Sequence, residues 1–304
     1  METLMTRRSK EQGKVRIDDA VCNGCGLCVK VCSGETLHLE NDRVKVDQSR
    51  MWGCIACGQC MAVCPKECIF VTGREMTPAD RIPLPPREAA ATYEQLNNLM
   101  LRRRSIRSYK KKEVEPEVIQ KILDAAVTAP MGLPPSEVEV TVFAGFDKVS
   151  EWADDLIALF QKQKWLFKPP VLWLWRIYGK EMYGLMKSFI APLADLFADR
   201  RREGEDVLFY GAPLAMYFSS SPTSDPADAL IPATYAMLAG ESLGLGSCMI
   251  GTVGPMLKYK SKVTEKYGIT TGNHPGVAII FGYPELKYHS AIRRTFASVK
   301  IHKA

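Results

Sequence analysis

The chain has 304 residues, of which 46% are hydrophobic and 24% are charged, and its formal net charge is +6. These values are typical of a globular protein with one large or two modest domains; they exclude a wholly disordered chain, and so mild a charge does not by itself indicate nucleic acid. The longest apolar stretches are interrupted by residues such as Lys168, Arg176 and Lys180, so none reaches the roughly 20 residues of a membrane span.

The first quarter of the chain holds almost all of the cysteines. Nine of the ten lie between Cys22 and Cys68, and only Cys248 lies in the rest of the sequence. The residues before Cys22 are basic but lack the apolar run of a signal peptide, so we expect a cytoplasmic protein. In a reducing compartment, clustered cysteines indicate metal binding or redox chemistry before a disulfide framework.

Eight of these cysteines form two runs with the same spacing, Cys22-Asn-Gly-Cys25-Gly-Leu-Cys28-Val-Lys-Val-Cys32 and Cys54-Ile-Ala-Cys57-Gly-Gln-Cys60-Met-Ala-Val-Cys64. A cysteine at every third position lets a tight loop wrap three corners of a cubane iron–sulfur cluster, and the fourth ligand comes from elsewhere. Gly24, Gly26 and Gly58 permit this close wrapping. Zinc bound by CxxC pairs is the alternative, and the doubled spacing argues against it.

The doubled pattern resembles that of the bacterial two-cluster ferredoxins, in which the fourth cysteine of each run ligates the cluster of the other run. The resemblance implies two 4Fe–4S clusters, one held by Cys22, Cys25, Cys28 and Cys64 and the other by Cys54, Cys57, Cys60 and Cys32. Pro65 follows the second run as in the family, whereas Ser33 follows the first, which implies a looser turn with the ligand retained. We expect Cys68 to pack against a cluster without ligating it.

Between the two runs, residues 37–46 alternate apolar and polar side chains on either side of an Asn-Asp turn, which predicts a β-hairpin. The parity of this alternation places His38 on the solvent face.

A proline-rich stretch at residues 74–87 (REMTPADRIPLPPR) lacks apolar periodicity and predicts an extended, semi-stiff linker. We therefore expect an iron–sulfur domain at residues 1–80, a linker at 81–90 and a second domain at 91–304.

The second domain is predicted to have helices around a central sheet, which is an α+β architecture. Apolar spacing predicts one helix from Tyr93, a second beginning at Pro116, and an alanine-rich helix over 230–243. A Pro/Gly turn at 129–136 leads into a strand at 138–143, and a last strand covers 277–281.

Four stretches of this domain, in this order, resemble motifs of the nitroreductase family of FMN flavoproteins. They are RRRSIRSY at 102–109, Ala-Pro at 129–130, LGLGSCMIG at 243–251 and FGYPELKYHSAIRR at 281–294. The resemblance covers about residues 91–304. It implies an FMN-binding α+β sandwich, and it implies a homodimer with the flavin at the subunit interface.

The resemblance also implies which residues hold FMN. Arg103, Ser105 and Arg107 would hold the flavin phosphate and ribityl chain, as guanidinium groups and a hydroxyl suit a phosphate dianion. The remaining cofactor residues are Pro130, Met131 and Gly132 beside the flavin ring, Met249, Ile250 and Gly251 along its other side, and Arg293 and Arg294 on the phosphate. The segment LPPSEVE departs from the family pattern, so no substrate contact is carried over to it. Alternatively, RRRSIRSYKKK is a solvated basic helix end or a tract that binds a nucleic-acid backbone.

Residues 165–197 are rich in aromatic side chains and methionine. The aromatic positions are Trp165, Phe167, Trp173, Trp175, Tyr178, Tyr183, Phe189 and Phe197. These residues, with Met182 and Met186, would suit a pocket for a flat apolar substrate. They would suit a helical core or a dimer contact equally well, so the three interpretations stay open. A helix lying on a membrane surface is a further, weaker alternative.

Together these patterns predict an oxidoreductase that passes electrons from a low-potential donor, such as ferredoxin, through two 4Fe–4S clusters to FMN and on to a small organic acceptor. Nitroaromatics, quinones and activated double bonds are the acceptor classes, with reductive dehalogenation as an alternative. No side chain is identified as catalytic. Cys248 is expected to be a small buried residue. The competing hypotheses are a non-enzymatic electron carrier or redox sensor, and a nucleic-acid binder with a structural cluster.

Overall fold

The computed structural model of the protein describes residues 5–303. Its cysteine-rich part contains two antiparallel strand pairs and two short helices. The elements are β1 (Lys14–Ile17), α1 (Leu27–Lys30), β2 (Leu37–Glu40), β3 (Arg43–Val46), α2 (Gln59–Val63) and β4 (Ile69–Thr72). Strand β1 pairs with β4, and β2 pairs with β3 as the predicted hairpin. This is the ferredoxin-like arrangement that the sequence predicts.

The core of this module is small and includes several cysteines. Leu37, Val44, Ile69 and Val71 are buried, and they pack with Cys28, Cys60 and Cys68. A module of this size buries little apolar surface, and such modules usually need a metal or disulfide staple. Cluster ligation would supply that staple, because metal binding contributes directly to folding.

The parity argument for His38 is wrong. His38 is half-buried, and its Nδ1 atom is buried with no hydrogen-bond partner among residues 5–303, whereas its neighbour Leu39 is exposed. The β2–β3 hairpin forms a two-stranded sheet of its own, and burial along its strands does not follow simple alternation. Leu39 instead lies against the loop at Gly26, where a Cβ would come within 3.0 Å of it.

The segment between the two domains is largely exposed and has little regular structure. Strand β4 ends at Thr72 and the next α-helix begins at Tyr93. Between them lie only two single-turn 3₁₀ helices, Pro78–Asp80 and Arg87–Ala89. Residues 82–90 are all exposed.

The second domain is built on a four-stranded antiparallel sheet in the order β5-β6-β8-β7. Its strands are β5 (Val138–Ala144), β6 (Leu214–Ser220), β7 (Gly246–Ile250) and β8 (His274–Gly282). Its helices are α3 (Tyr93–Arg102), α4 (Pro116–Ala126), α5 (Phe146–Gln163), α6 (Val171–Leu174), α7 (Lys180–Leu185), α8 (Ala191–Arg202), α9 (Leu230–Ser242), α10 (Val253–Leu257) and α11 (Lys262–Lys266). The helices and strands predicted around residues 93, 116, 138, 230 and 277 are confirmed.

Helices cover both faces of the sheet, and every residue of β6 is buried. On one face, Tyr217 and Phe143 pack with Trp152 of α5, which stacks on Phe143 with 4.0 Å between ring centroids. On the other face, Phe218 packs against α4 and α9. This double cover explains why β6 is apolar along most of its length, since a strand buried on both faces needs no polar side.

The aromatic stretch at 165–197 lies mostly outside the core. Trp165, Trp173, Tyr178 and Phe189 are between 55% and 74% exposed, and Phe197 is buried. The interpretation of this stretch as a helical core therefore fits Phe197 and the half-buried Phe167, and it does not fit the four exposed rings. No helix among residues 5–303 is both long and apolar enough to cross a membrane.

Candidate cluster and cofactor sites

Two small cavities lie inside the cysteine-rich module, and each is lined by cysteines from both runs. The first is lined by Cys22, Cys25 and Cys28 from the first run together with Cys64 and Cys68. The second is lined by Cys54, Cys57 and Cys60 from the second run together with Cys32 from the first. The chain thus brings the fourth cysteine of each run to the other run's loop.

The loops around these cavities depend on left-handed backbone. Gly26 and Gly58 stand before α1 and α2 with φ values of 71° and 72°, which glycine adopts without steric cost. Ala56 takes a φ of 55° at the position that corresponds to Gly24 in the first run. A Cβ at Gly13 would lie 2.9 Å from the Cys54 sulfur, so only glycine fits beside that thiol.

Burial and hydrogen bonding give the thiols different affinities for protons. Burial raises the pKa of Cys28 and Cys54, and it raises the pKa of Cys60 to about 12. At Cys64, burial is outweighed by hydrogen bonds from Cys68 and nearby amides, and the pKa is lowered. Burial and the 3.4 Å contact with Cys64 raise the pKa of Cys68 to about 12, so Cys68 holds its proton more tightly than Cys64 does.

The donor set fits iron–sulfur clusters. One cavity offers five thiols and the other four, neither has a carboxylate or imidazole in its lining, and soft thiolates are the ligands that such clusters use. Among residues 5–303, no three His, Cys, Asp or Glu side chains converge as ligands of one metal ion.

A separate, cationic cavity of about 640 Å³ lies in the second domain. It is lined by Arg103, Arg104, Ser105 and Arg107 from the segment after α3, by Arg293 and Arg294 from the C-terminal arm, and by Met100, Leu101, Tyr288 and Ile292. All five residues predicted to hold the flavin phosphate therefore line one cavity. Five guanidinium groups and a hydroxyl suit a phosphate dianion.

The sheet positions this basic segment. Ser105 pairs with Ser247 as a parallel bridge, and the Ile106 amide donates a 2.9 Å hydrogen bond to the Ser247 carbonyl. Arg104 donates a 2.6 Å hydrogen bond to the Ser290 carbonyl, which joins the segment to the C-terminal arm. Arg107 lies 5.6 Å from the centre of the Tyr210 ring. The segment is thus an ordered extension of the sheet edge.

The residues predicted to contact the flavin ring are not gathered at the cationic cavity. Pro130 and Met131 line a different cavity of about 210 Å³, beside the exposed Gly132. Met249 and Gly251 are exposed, whereas the Ile250 side chain belongs to the core and offers only backbone to a ligand. Within one chain, therefore, none of the residues predicted to contact the flavin ring lines the cationic cavity.

Several cavity residues were not predicted from the sequence. Tyr288 and Ile292 line the cationic cavity from an arm without regular structure, so no periodicity indicated them. Asp228 is 6% exposed and lines the cavity of Pro130 and Met131. Its single-turn 3₁₀ segment, Pro226–Ala229, gives no distinctive pattern in the sequence.

Two family models match this chain. The model of the nitroreductase family matches residues 100–283, and that of the 4Fe-4S dicluster domain matches residues 14–65. No curated protein matches the chain significantly.

Solved structures resemble the second domain. A nitroreductase with bound FMN from Bacteroides fragilis is 20% identical over 68% of this chain and 99% of its own, with a TM-score of 0.49. A nitroreductase with bound FMN from Desulfitobacterium hafniense is 20% identical over 67% of this chain and 98% of its own, with a TM-score of 0.47. An FMN-dependent nitroreductase from Clostridium difficile is 20% identical over 69% of this chain and 100% of its own, with a TM-score of 0.46.

Proposed function

Because this chain belongs to the nitroreductase family and carries an N-terminal 4Fe-4S dicluster domain, we propose that it is an FMN-dependent oxidoreductase fed by two 4Fe–4S clusters. The observation that carries the proposal is the presence, in one chain, of two cavities lined by five and four thiols and of one cavity lined by five arginines. An electron carrier needs only the cysteine-lined cavities. A flavoprotein that receives electrons from clusters also needs a cationic cavity for the flavin phosphate.

We assign one cluster to Cys22, Cys25, Cys28 and Cys64, and the other to Cys54, Cys57, Cys60 and Cys32. The cysteines that line each cavity support this exchange of fourth ligands. Cys68 lines the first cavity as a fifth thiol, and its raised pKa favours a hydrogen-bond donor to Cys64 over a ligand. The expected domain limits, with a linker at 81–90, agree with the exposed segment that precedes α3.

We assign the FMN phosphate to Arg103, Ser105, Arg107, Arg293 and Arg294. The ring contacts of Pro130–Gly132 and Met249–Gly251 lie apart from this cavity within one chain, so a second copy is proposed to complete the site. Exposed apolar side chains on α3 and on the C-terminal arm support a homodimer, among them Leu96, Met100, Ile292 and Phe296. Such side chains are typical of surfaces that a partner covers.

When bound, FMN accepts electrons singly from iron–sulfur clusters and delivers them in pairs to an organic acceptor. The protein's part is to hold the phosphate with its arginines and to keep the cluster thiols within the module's core. A low-potential donor such as ferredoxin would supply the electrons, and a nitroaromatic, quinone or activated double bond would receive them; a halogenated compound is the alternative acceptor. Nine clustered thiols suit a reducing compartment, so we place the protein in the cytoplasm.

The test is the iron and flavin content of anaerobically purified protein, followed by reoxidation of the reduced protein. About eight irons and one FMN per chain, with rapid reoxidation by a small quinone or nitroaromatic, are expected. Iron without flavin would refute the assignment of the second domain. Reoxidation by protein partners alone would make the protein an electron carrier.

A further inference from the structure

The turn that follows β4 has an unusual backbone. Gly73 and Met76 pair across it, and the two residues between them, Arg74 and Glu75, both have left-handed φ values of 50° and 63°. Tight turns with two such residues usually place asparagine or glycine there, because a side chain is strained in this region. Strain of this kind persists where surrounding contacts enforce it, and it is common at functional positions.

Arg74 contacts the second domain directly, and Glu75 is linked to it through Arg8. Arg74 is 2% exposed, and its Nε and Nη2 atoms donate hydrogen bonds of 3.1 and 2.7 Å to the Pro134 carbonyl. Glu75 pairs with Arg8, whose Nη1 atom donates a 2.6 Å hydrogen bond to the Ser136 carbonyl. The turn is therefore hydrogen-bonded, directly and through Arg8, to the C-terminal end of the loop that contains Pro130 and Met131.

The opposite side of the turn reaches one of the cysteine cavities. Arg74 Nη1 donates a 3.0 Å hydrogen bond to the Glu11 carbonyl, and the Arg74 amide donates to the Glu11 carboxylate at 3.1 Å. Two residues along, the Gly13 amide donates a 2.8 Å hydrogen bond to the Cys54 carbonyl. A single strip of backbone, residues 11–13, thus connects the buried guanidinium with the loop of Cys54.

We propose that the Gly73–Met76 turn docks the Cys54 side of the iron–sulfur module onto the 129–136 loop, and that Arg74 is the positioning residue that makes the Cys54 cluster the electron exit. The inference rests on the proposed function. In each transfer, the Cys54 cluster is oxidised by one electron that the flavin domain gains, and a low-potential protein donor replaces that electron. The other set of thiols includes the exposed Cys25, which places it toward solvent and such a donor.

The charge of Arg74 has a measurable consequence at this cluster. A reduced cluster carries one more negative charge than an oxidised one, so a nearby buried cation favours reduction. Replacing Arg74 by glutamine is expected to disfavour reduction of one cluster about tenfold, which corresponds to a drop of about 59 mV for a one-electron couple. The other cluster is expected to keep its potential.

The experiment is a redox titration of the full-length protein by electron paramagnetic resonance, for wild type, Arg74→Gln, Arg74→Lys and Arg81→Gln. Arg81 is the matched control, because it is an arginine of the same polypeptide region and its guanidinium pairs with Glu67 of the iron–sulfur module. Arg74→Lys retains the positive charge but loses the pair of hydrogen bonds that the guanidinium donates to the Pro134 carbonyl. Arg74→Lys is therefore expected to keep the wild-type cluster potentials. In both Arg74→Lys and Arg74→Gln, proteolysis within the exposed 82–90 segment is expected to become faster than in wild type.

The iron and flavin content of the wild type is measured first, so that failure of the proposed function is seen separately. With both cofactors present, unchanged potentials in Arg74→Gln overturn the proposal. An equal drop of the same cluster potential in Arg81→Gln also overturns the proposal. So does cleavage of the 82–90 segment at the wild-type rate in both Arg74 variants. If Arg74→Gln does not fold, Arg74→Lys still decides the docking role through proteolysis.

Discussion

The Ile106 amide and the Ser247 carbonyl are joined by a hydrogen bond of 2.9 Å, which fixes the basic segment of the second domain to the edge strand β7. The contact is close because Gly246 leaves room for Ile106. A Cβ at Gly246 would lie 2.5 Å from Cγ1 of Ile106. The arginines of the cationic cavity are therefore positioned by a backbone contact and by the absence of one methyl group.

Replacing Gly246 by alanine is expected to destabilise the protein and to weaken flavin retention. The new methyl group would overlap Ile106, and overpacking of this kind costs about 1–3 kcal/mol. Thermal unfolding and the FMN content after gel filtration measure the two effects. Gly184→Ala is the matched control, because nothing lies within 4 Å of a Cβ there. Equal behaviour of the two variants would contradict the role given to this contact.

Replacing Arg103 and Arg107 together by glutamine is expected to abolish flavin retention while leaving iron in place. Both side chains line the cationic cavity, and charge-assisted hydrogen bonds are the strongest contacts available to a phosphate. Iron and released flavin are measured on the same sample. Lys110→Gln with Lys111→Gln removes the same charge from exposed positions outside the cavity and is expected to leave FMN bound. Full retention of FMN in the arginine variant would refute the phosphate assignment.

The sequence predicts well whatever depends on local spacing. The cysteine runs, the hairpin at 37–46 and the helix beginning at Pro116 follow from short-range patterns, and the structure has each of them. Four residues of the motif at 102–109 also line one cavity, and their role in holding FMN stays a prediction.

Long-range relationships could not be predicted in the same way. Nothing near Arg74 in the sequence indicates that its guanidinium contacts Pro134, which lies 60 residues away. His38 was misplaced because alternation predicts burial only when a sheet has one covered face. The sequence also did not indicate that Pro130 and Arg103 line different cavities of one chain, since motifs give no distances between segments.

Replacing Cys64 by serine is expected to halve the iron content, whereas Cys68→Ala is expected to retain it. The lowered pKa of Cys64 favours the thiolate that a cluster needs, and the pKa of Cys68, raised to about 12, favours a thiol. Iron and sulfide per chain measure both outcomes. Loss of iron in Cys68→Ala together with retention in Cys64→Ser would reverse the two assignments.

Replacing Glu137 by glutamine is expected to destabilise the protein at neutral pH and to matter less in acid. Burial opposes the charge of Glu137, but hydrogen bonds from Ser221, Thr223 and the Arg8 amide outweigh it and lower the pKa to about 2. A lowered carboxyl pKa contributes stability that is fully present above the unfolded value of 4.5 and is lost as pH falls toward 2. The shift corresponds to on the order of 3 kcal/mol.

Denaturant unfolding at pH 7 and at pH 3.5 measures this effect as the difference between Glu137→Gln and wild type. The difference is expected to be smaller at pH 3.5, because the wild type has by then lost part of the contribution of the carboxylate. Glu139→Gln is the control, since its partner Arg7 is 4.0 Å away and both side chains are about 40% exposed. Exposed pairs contribute little to stability, so this variant is expected to unfold like the wild type at both pH values. A difference for Glu137→Gln that grows in acid would contradict the assigned sign, and it would mean that folding raises the pKa of the carboxyl above 4.5.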